Sequence, residues 1–183
     1  MKVLVVGGFD PGDPGAALVD RAAQALQAGG HEPVATDLAA EGFDRTMTAE
    51  ERAAYLTDAP LVTAEARRGA ELVGAVEGIV VCYRVIAGTA PTRVKSWQER
   101  VFVLDVGFRF LPSGRITGAL DHLTRACVIA LDPDDDRRWR HRNSFGPCLA
   151  RSFHLSSNRR CRSRYVTVTG AGSASIAAAL GHW

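Results

Sequence analysis

Apolar positions fall into short unbroken runs separated by stripes of helical spacing. The runs at residues 2–6, 78–83 (GIVVCY) and 125–132 (RACVIALD) are rich in β-branched residues, as expected for strands buried on both faces of a parallel sheet. A weaker strand is predicted at 33–38, where Pro33 is tolerated because it opens the strand, and another at 164–170 (RYVTVTG). Between the strands, residues 16–28 carry Leu18, Ala22 and Leu26 on one stripe and are stopped by Gly29 and Gly30. Helices are likewise predicted over 63–73, over 92–102 with Val94, Trp97 and Val101 turned inward, and over 174–180. An Arg-rich helical segment precedes the last strand. The polar excursion AEGFDRTMTAEERAAYLTD contains Thr48 followed by Glu51, a capping box that opens a short helix. The segment LDVGFRFLPSGRITGAL places a Pro-Ser-Gly turn between two apolar runs and reads as a hairpin or excursion.

Five strands alternating with helices predict an α/β, flavodoxin-like three-layer fold with a five-stranded parallel sheet of order 2-1-3-4-5, because right-handed crossovers make it the economical arrangement. Ligands then belong at the carboxyl ends of strands one, three and four. A length of 183 residues with 46% apolar content suits one domain over 1–183. The formal charge of +2 is nearly balanced, which argues against nucleic acid or an anionic membrane as a partner and favours a small molecule or protein. No run approaches the length of a signal peptide or membrane span, so a cytoplasmic location is expected. The cysteines at 82, 127, 148 and 161 lack CxxC spacing and read as thiols.

The opening MKVLVV with its Pro-rich loop, the excursion AEGFDRTMTAEERAAYLTD, the phrase KSWQERVF, and VGFRF followed by GRITGAL occur in that order over most of the chain. Together they resemble the flavodoxin-like NAD(P)H:quinone oxidoreductases. The excursion is the most specific match, since the fold alone does not require its length or chemistry. The resemblance implies FMN at the sheet's switch point, hydride passing from NAD(P)H to flavin to quinone, and a homodimer with sites at the interface.

Each ligand loop departs from the family's pattern. Where relatives show AHPxxxSFN, this chain reads GGFDPGDPG, with Gly8 for the histidine, Asp13 for serine, Pro14 for phenylalanine and Gly15 for asparagine. A carboxylate stands where a phosphate dianion would bind, and like charges about 4 Å apart cost roughly 4 kcal/mol at an effective dielectric near 20. Where relatives show YPxWWxxxP, this chain reads YRVIAGTAP, keeping Tyr83 and Pro91 but placing Ile86 and Ala87 at the tryptophans. The glycine-rich third loop is replaced by LDPDDDRRW. The resemblance assigns Phe9, Asp10, Gly12, Asp13, Gly15, Arg84, Val85, Ile86 and Ala87 to the cofactor crevice. Its departures predict that FMN, and with it NAD(P)H, binds weakly or not at all. A crevice walled by Phe9, Tyr83, Val85 and Ile86 would suit a flat aromatic molecule.

Tyr83, Asp132 and His141 are candidate catalytic groups, since acid/base chemistry needs only a positioned group with a tuned pKa and would suit a flavin-free cyclase, isomerase or dehydratase. The structural alternative has Tyr83 ending a strand and His141 on an exposed helical face. Asp10, Asp13, Asp132 and Asp134 could converge on a hard cation; the DPDDDRR run reads better as the acidic start of a helix, and no metal is assigned. Arg137, Arg138, Arg140 and Arg142 read as a solvated face neutralised by those aspartates. His31, His122, His154 and His182 have no ligand spacing. The run FHLSSNRRCRSRY has the composition of a turn before the last strand, with phosphate binding as its alternative. A non-catalytic dimeric binding protein is the third functional reading.

Overall fold

The computed structural model describes residues 1–132, 145–170, 172–181 and 183, the side chains of 173–175 excepted. Its five-stranded sheet is parallel throughout: β1 (Lys2–Gly7), β2 (Glu32–Asp37), β3 (Gly78–Arg84), β6 (Arg125–Leu131) and β7 (Arg162–Val168) lie in the order β2-β1-β3-β6-β7. This is the flavodoxin-like α/β fold. The central strands β1, β3 and β6 are buried almost end to end, whereas β2 and β7 are partly exposed, which is why the former read as continuous apolar runs.

Successive side chains alternate between two cores. Val3, Val5, Val80, Cys82, Cys127 and Ile129 pack with Leu18 and Leu26 of α1 (Ala17–Ala28) and Ile176 of α6 (Ser173–Leu180). Leu4, Val6, Ile79, Val81 and Val128 face α3 (Ala64–Gly74), α4 (Thr92–Val101) and α5 (Phe145–Ser156). There Trp97 meets Phe102 edge-on at 5.1 Å, and Phe102 meets Phe153 at 5.6 Å.

The predicted capping box opens α2 (Ala49–Ala54): Thr48 Oγ1 accepts the Glu51 N–H at 3.1 Å and Glu51 Oε2 accepts the Thr48 N–H at 2.8 Å. The same carboxylate is the hinge of an ion network. Arg100 Nε donates to Glu51 Oε1 at 2.6 Å, Arg100 Nη2 to Glu65 at 2.5 Å, and Arg45 bridges Glu51 and Glu65 at 3.0 and 2.9 Å. The excursion and the KSWQER phrase are therefore two halves of one buried contact. Residues 108–110 and 116–118 form the expected antiparallel hairpin, β4 (Phe108–Phe110) with β5 (Ile116–Gly118), turned at Gly114 with φ +78°.

Some boundaries differ from expectation, among them β7, which begins two residues earlier than predicted, at Arg162. Pro33 is the second residue of β2, tolerated because β2 is an edge strand. The FHLSS part of the run before β7 is helical to Ser156, because Leu149, Ala150 and Phe153 complete a buried stripe. Among the described residues, no helix is long and apolar enough to cross a membrane.

Candidate functional site

The loop after β1 is tied to its neighbours at every step. The Gly8 N–H donates to Cys82 O at 2.8 Å, and a Cβ on Gly8 would overlap Val94 of α4. Phe9 is buried, and Arg93 donates to its carbonyl and to Asp10 Oδ1. Arg93 also pairs with Asp44 of the excursion at 2.9 Å. Asp13 caps a 3₁₀ turn over Pro14–Ala16, and its Oδ1 accepts the Gly15 N–H at 2.7 Å. Arg84, leaving β3, grips the same carboxylate from Nε at 2.7 Å and from Nη2 at 2.6 Å. The Arg84 hydrogen bonds hold the Asp13 carboxyl below its ordinary range, against the opposing pull of burial and with help from Gly15. Gly15 is buried, and a Cβ there would come within 2.7 Å of Leu131 and 2.9 Å of Phe9.

The loop after β3 folds back on itself. The Val85 N–H donates to Leu131 O at 2.8 Å, and Ile86 and Thr89 exchange backbone hydrogen bonds of 2.9 and 3.0 Å. Ala87 and Gly88 at the tip have φ of +49° and +75°, the left-handed pair of a two-residue reversal. This spends the Ile86 and Thr89 N–H groups inside the loop. Ile86 is left 45% exposed on an open cleft of about 560 Å³ that it shares with Asp10, Asp44, Pro91 and Lys95. A second cleft of about 600 Å³ opens on the other flank of the first loop, between Gly12, Pro14 and Val19 and the end of β2 at Thr36 and Asp37.

Asp132 follows β6, where its N–H donates to Val168 O at 2.8 Å and its side chain is half-buried. Its charge adds to the burial that raises the Tyr165 hydroxyl pKa, while Thr167 lowers it. Asp134, Asp135, Asp136, His141 and the four arginines around them lie outside the described residues.

The candidates of the sequence thus divide. Asp13, Gly15 and Arg84 meet in one contact, and Asp10, Ile86 and Ala87 border one cleft. Tyr83 sits apart: it is fully buried in the α3–α4–α5 core, with its hydroxyl beside the Gly146 backbone. Phe9 and Tyr83 are core residues and Val85 packs against the core of Tyr83, so of these four Ile86 is the most exposed. Asp10 and Asp13 take separate arginines rather than converging, and among the described residues no His, Cys, Asp or Glu group could hold a metal ion. Arg93 and Asp44 were not singled out by sequence reasoning. A signal existed, because a cation in the first turn of a helix opposes the dipole and implies a partner elsewhere. The cysteines are all free; burial pushes the Cys127 and Cys161 thiols up to about 12.

A family profile described as flavodoxin-like fold matches residues 1–151. No curated protein matches. Among solved structures, an FMN-dependent NADH-azoreductase from Bacillus anthracis str. Ames Ancestor, in complex with FMN, aligns with a TM-score of 0.69 at 12% identity over 96% of this chain and 92% of that one. An NAD(P)H:quinone oxidoreductase from Methanothermobacter marburgensis aligns at 0.68 and 16%, over 99% and 92%. A putative quinone reductase from Klebsiella pneumoniae aligns at 0.69 and 18%, over 99% and 84%. At these identities the likeness is one of fold.

Proposed function

Because the chain belongs to the flavodoxin-like fold family, we propose that it is a divergent protein of the NAD(P)H:quinone oxidoreductase type in which FMN binding is weak or lost. Its strand-end crevice then receives a flat aromatic or quinone-like small molecule.

The observation that carries this reading is the Asp13–Arg84 contact. A phosphate at the end of β1 would need free N–H groups and a cation. The Gly15 N–H and the Arg84 guanidinium are both committed to the Asp13 carboxylate, an anion supplied by the chain itself. The closed reversal at Ile86–Thr89 adds to the misfit, because it offers neither a stacking ring nor the two N–H groups it has spent. The residues present therefore do not fit FMN in the family's manner. The cleft of about 560 Å³ is of small-molecule size, with Ile86, Ala87 and Pro91 as an apolar wall and Lys95 at its edge. The family resemblance supports a homodimer, and the lack of a signal-peptide-like or membrane-spanning run supports a cytoplasmic location.

The test is an FMN titration of the purified protein, read by quenching of flavin fluorescence and by the absorbance of the isolated chain. The expected result is a colourless protein with a Kd weaker than about 100 μM, or about −5.5 kcal/mol. Stoichiometric binding at micromolar or tighter affinity would overturn the reading. Soaking or titration with naphthoquinones then tests the cleft: an I86E variant should lose binding if Ile86 forms its apolar wall.

A further inference from the structure

We infer that the cleft between α5 and the edge strand β7 is a second binding site, for a small organic anion: a phosphate, sulfate or carboxylate carried on an apolar body. It lies along the sheet edge, away from the crevice after β1 and β3, and the inference is independent of the function proposed for that crevice. It lies largely beyond residue 151, where the family profile ends.

The cleft encloses about 600 Å³, and its lining includes Arg151, His154, Leu155, Arg159, Ser163 and Tyr165. Among the described residues, two guanidinium groups and an imidazole border it, and no carboxylate does. Among the described residues neither Arg151 nor Arg159 forms an ion pair, in contrast to Arg45, Arg84, Arg93 and Arg100, whose charges are all answered within the fold. Cations gathered on a concave surface without counter-charge raise the local potential for an anion. Guanidinium groups also bind phosphate and carboxylate through paired donors.

Arg159 is exposed and stands on backbone that most residues avoid. Asn158 and Arg159 have φ of +52° and +66°, and the Arg159 N–H closes α5 on His154 O at 2.8 Å. The Asn158 amide fixes the turn. Its Oδ1 accepts Thr117 Oγ1 at 2.6 Å and the Gly118 N–H at 2.9 Å, while Nδ2 donates to Asp121 at 2.7 Å. A non-glycine residue kept in the left-handed region by such contacts marks a constrained presentation of its side chain. His154 donates from Nδ1 to Cys161 O at 2.8 Å, which orients the ring and leaves Nε2 as its remaining polar atom. Leu155 is 48% exposed and also borders an adjoining cleft of about 350 Å³ with Phe108 and Ile116. An apolar body anchored by its anion at Arg151 and Arg159 can extend along that surface.

The probe is 1-naphthyl phosphate, followed by the anisotropy of its own fluorescence against wild type, R151A, R159G and the distant surface variant R52A, with 1-naphthol as the uncharged comparator. Glycine at 159 keeps the positive φ and removes only the side chain, and thermal melts verify that each variant folds. The expected result is saturable binding to wild type and R52A, with about a tenfold loss in R151A and in R159G, the scale of one charge-assisted hydrogen bond. 1-Naphthol should bind at least about tenfold more weakly than the phosphate. Wild-type affinity retained in R151A and R159G, 1-naphthol binding as tightly as the phosphate, or no saturable binding to wild type would each overturn the assignment.

Discussion

Asp13 and Arg84 are 71 positions apart in sequence and meet in a two-point contact of 2.6 and 2.7 Å that ties the loop after β1 to the end of β3. Both side chains are largely shielded from solvent, and the same carboxylate caps the turn that leads into α1. The pair consequently orders the entrance to the crevice and sets its charge.

Replacing Asp13 with serine should uncover Arg84 and the Gly15 N–H. Removing a like charge about 4 Å from a phosphate relieves up to about 4 kcal/mol at an effective dielectric near 20. Part of that gain is offset, because the loop loses its cap and its cross-link. D13S should bind FMN at least about tenfold more tightly than wild type in the fluorescence titration, a change of about 1.4 kcal/mol. Unchanged affinity in a folded D13S would show that Asp13 does not exclude the flavin.

Glu51 gives a prediction about acid stability. Burial raises its pKa, but the Thr48 N–H and the Arg100 and Arg45 guanidinium groups outweigh burial and hold it at about 2. A carboxylate depressed in the folded state stabilises the fold above its unfolded pKa, near 4.5, and loses that contribution as pH falls toward 2. The interval corresponds to about 3 kcal/mol. Denaturant midpoints measured between pH 5 and pH 2 should fall in wild type. E51Q should already be destabilised at pH 7, by about 3–5 kcal/mol, because the fully buried Arg100 loses a charged partner. A shallower pH profile in E51Q than in wild type across this window assigns the difference to Glu51; the slope that remains belongs to other depressed carboxylates such as Asp13.

The strands and the Thr48–Glu51 cap were legible in the sequence because both rest on local signals, unbroken β-branched runs and a side chain reaching the backbone three residues on, and the sheet order followed from the handedness of the crossovers. The crevice was legible only in outline. Asp13 reads in sequence as a charge aimed at the ligand, and only the fold reveals that Arg84 answers it. Tyr83 ends an apolar run at the carboxyl end of β3, the register expected of a site residue, yet strand alternation turns it into the core beside α5. Periodicity fixes the face a side chain takes, whereas the partner waiting there is set by tertiary packing.

Gly8 tests how far the histidine of the relatives could be restored. A Cβ at this position would overlap Val94, so α4 is seated against the bare backbone. G8A should cost about 1–3 kcal/mol through overpacking, and V94A added to G8A should recover part of it. Chemical denaturation of the two single variants and the double variant gives the coupling; simple additivity would mean that the helix yields instead.

The reversal after β3 separates a structural turn from a ligand-shaped one. Ala87 sits at φ +49° without the freedom of glycine, and Gly88 follows at +75°. A left-handed alanine costs about 1–2 kcal/mol, whereas glycine there gives back about 0.5–1 kcal/mol through the entropy of the unfolded chain. A87G should therefore stabilise by roughly 0.5 kcal/mol, and G88A should destabilise by about 1 kcal/mol. Since the Ile86 and Thr89 N–H groups are spent within the reversal in either case, neither change should raise FMN affinity unless the turn opens. A G88A protein that loses stability but gains flavin binding would mean that the closed loop, rather than Asp13, is the principal barrier; one that loses stability alone leaves the barrier with the Asp13 carboxylate.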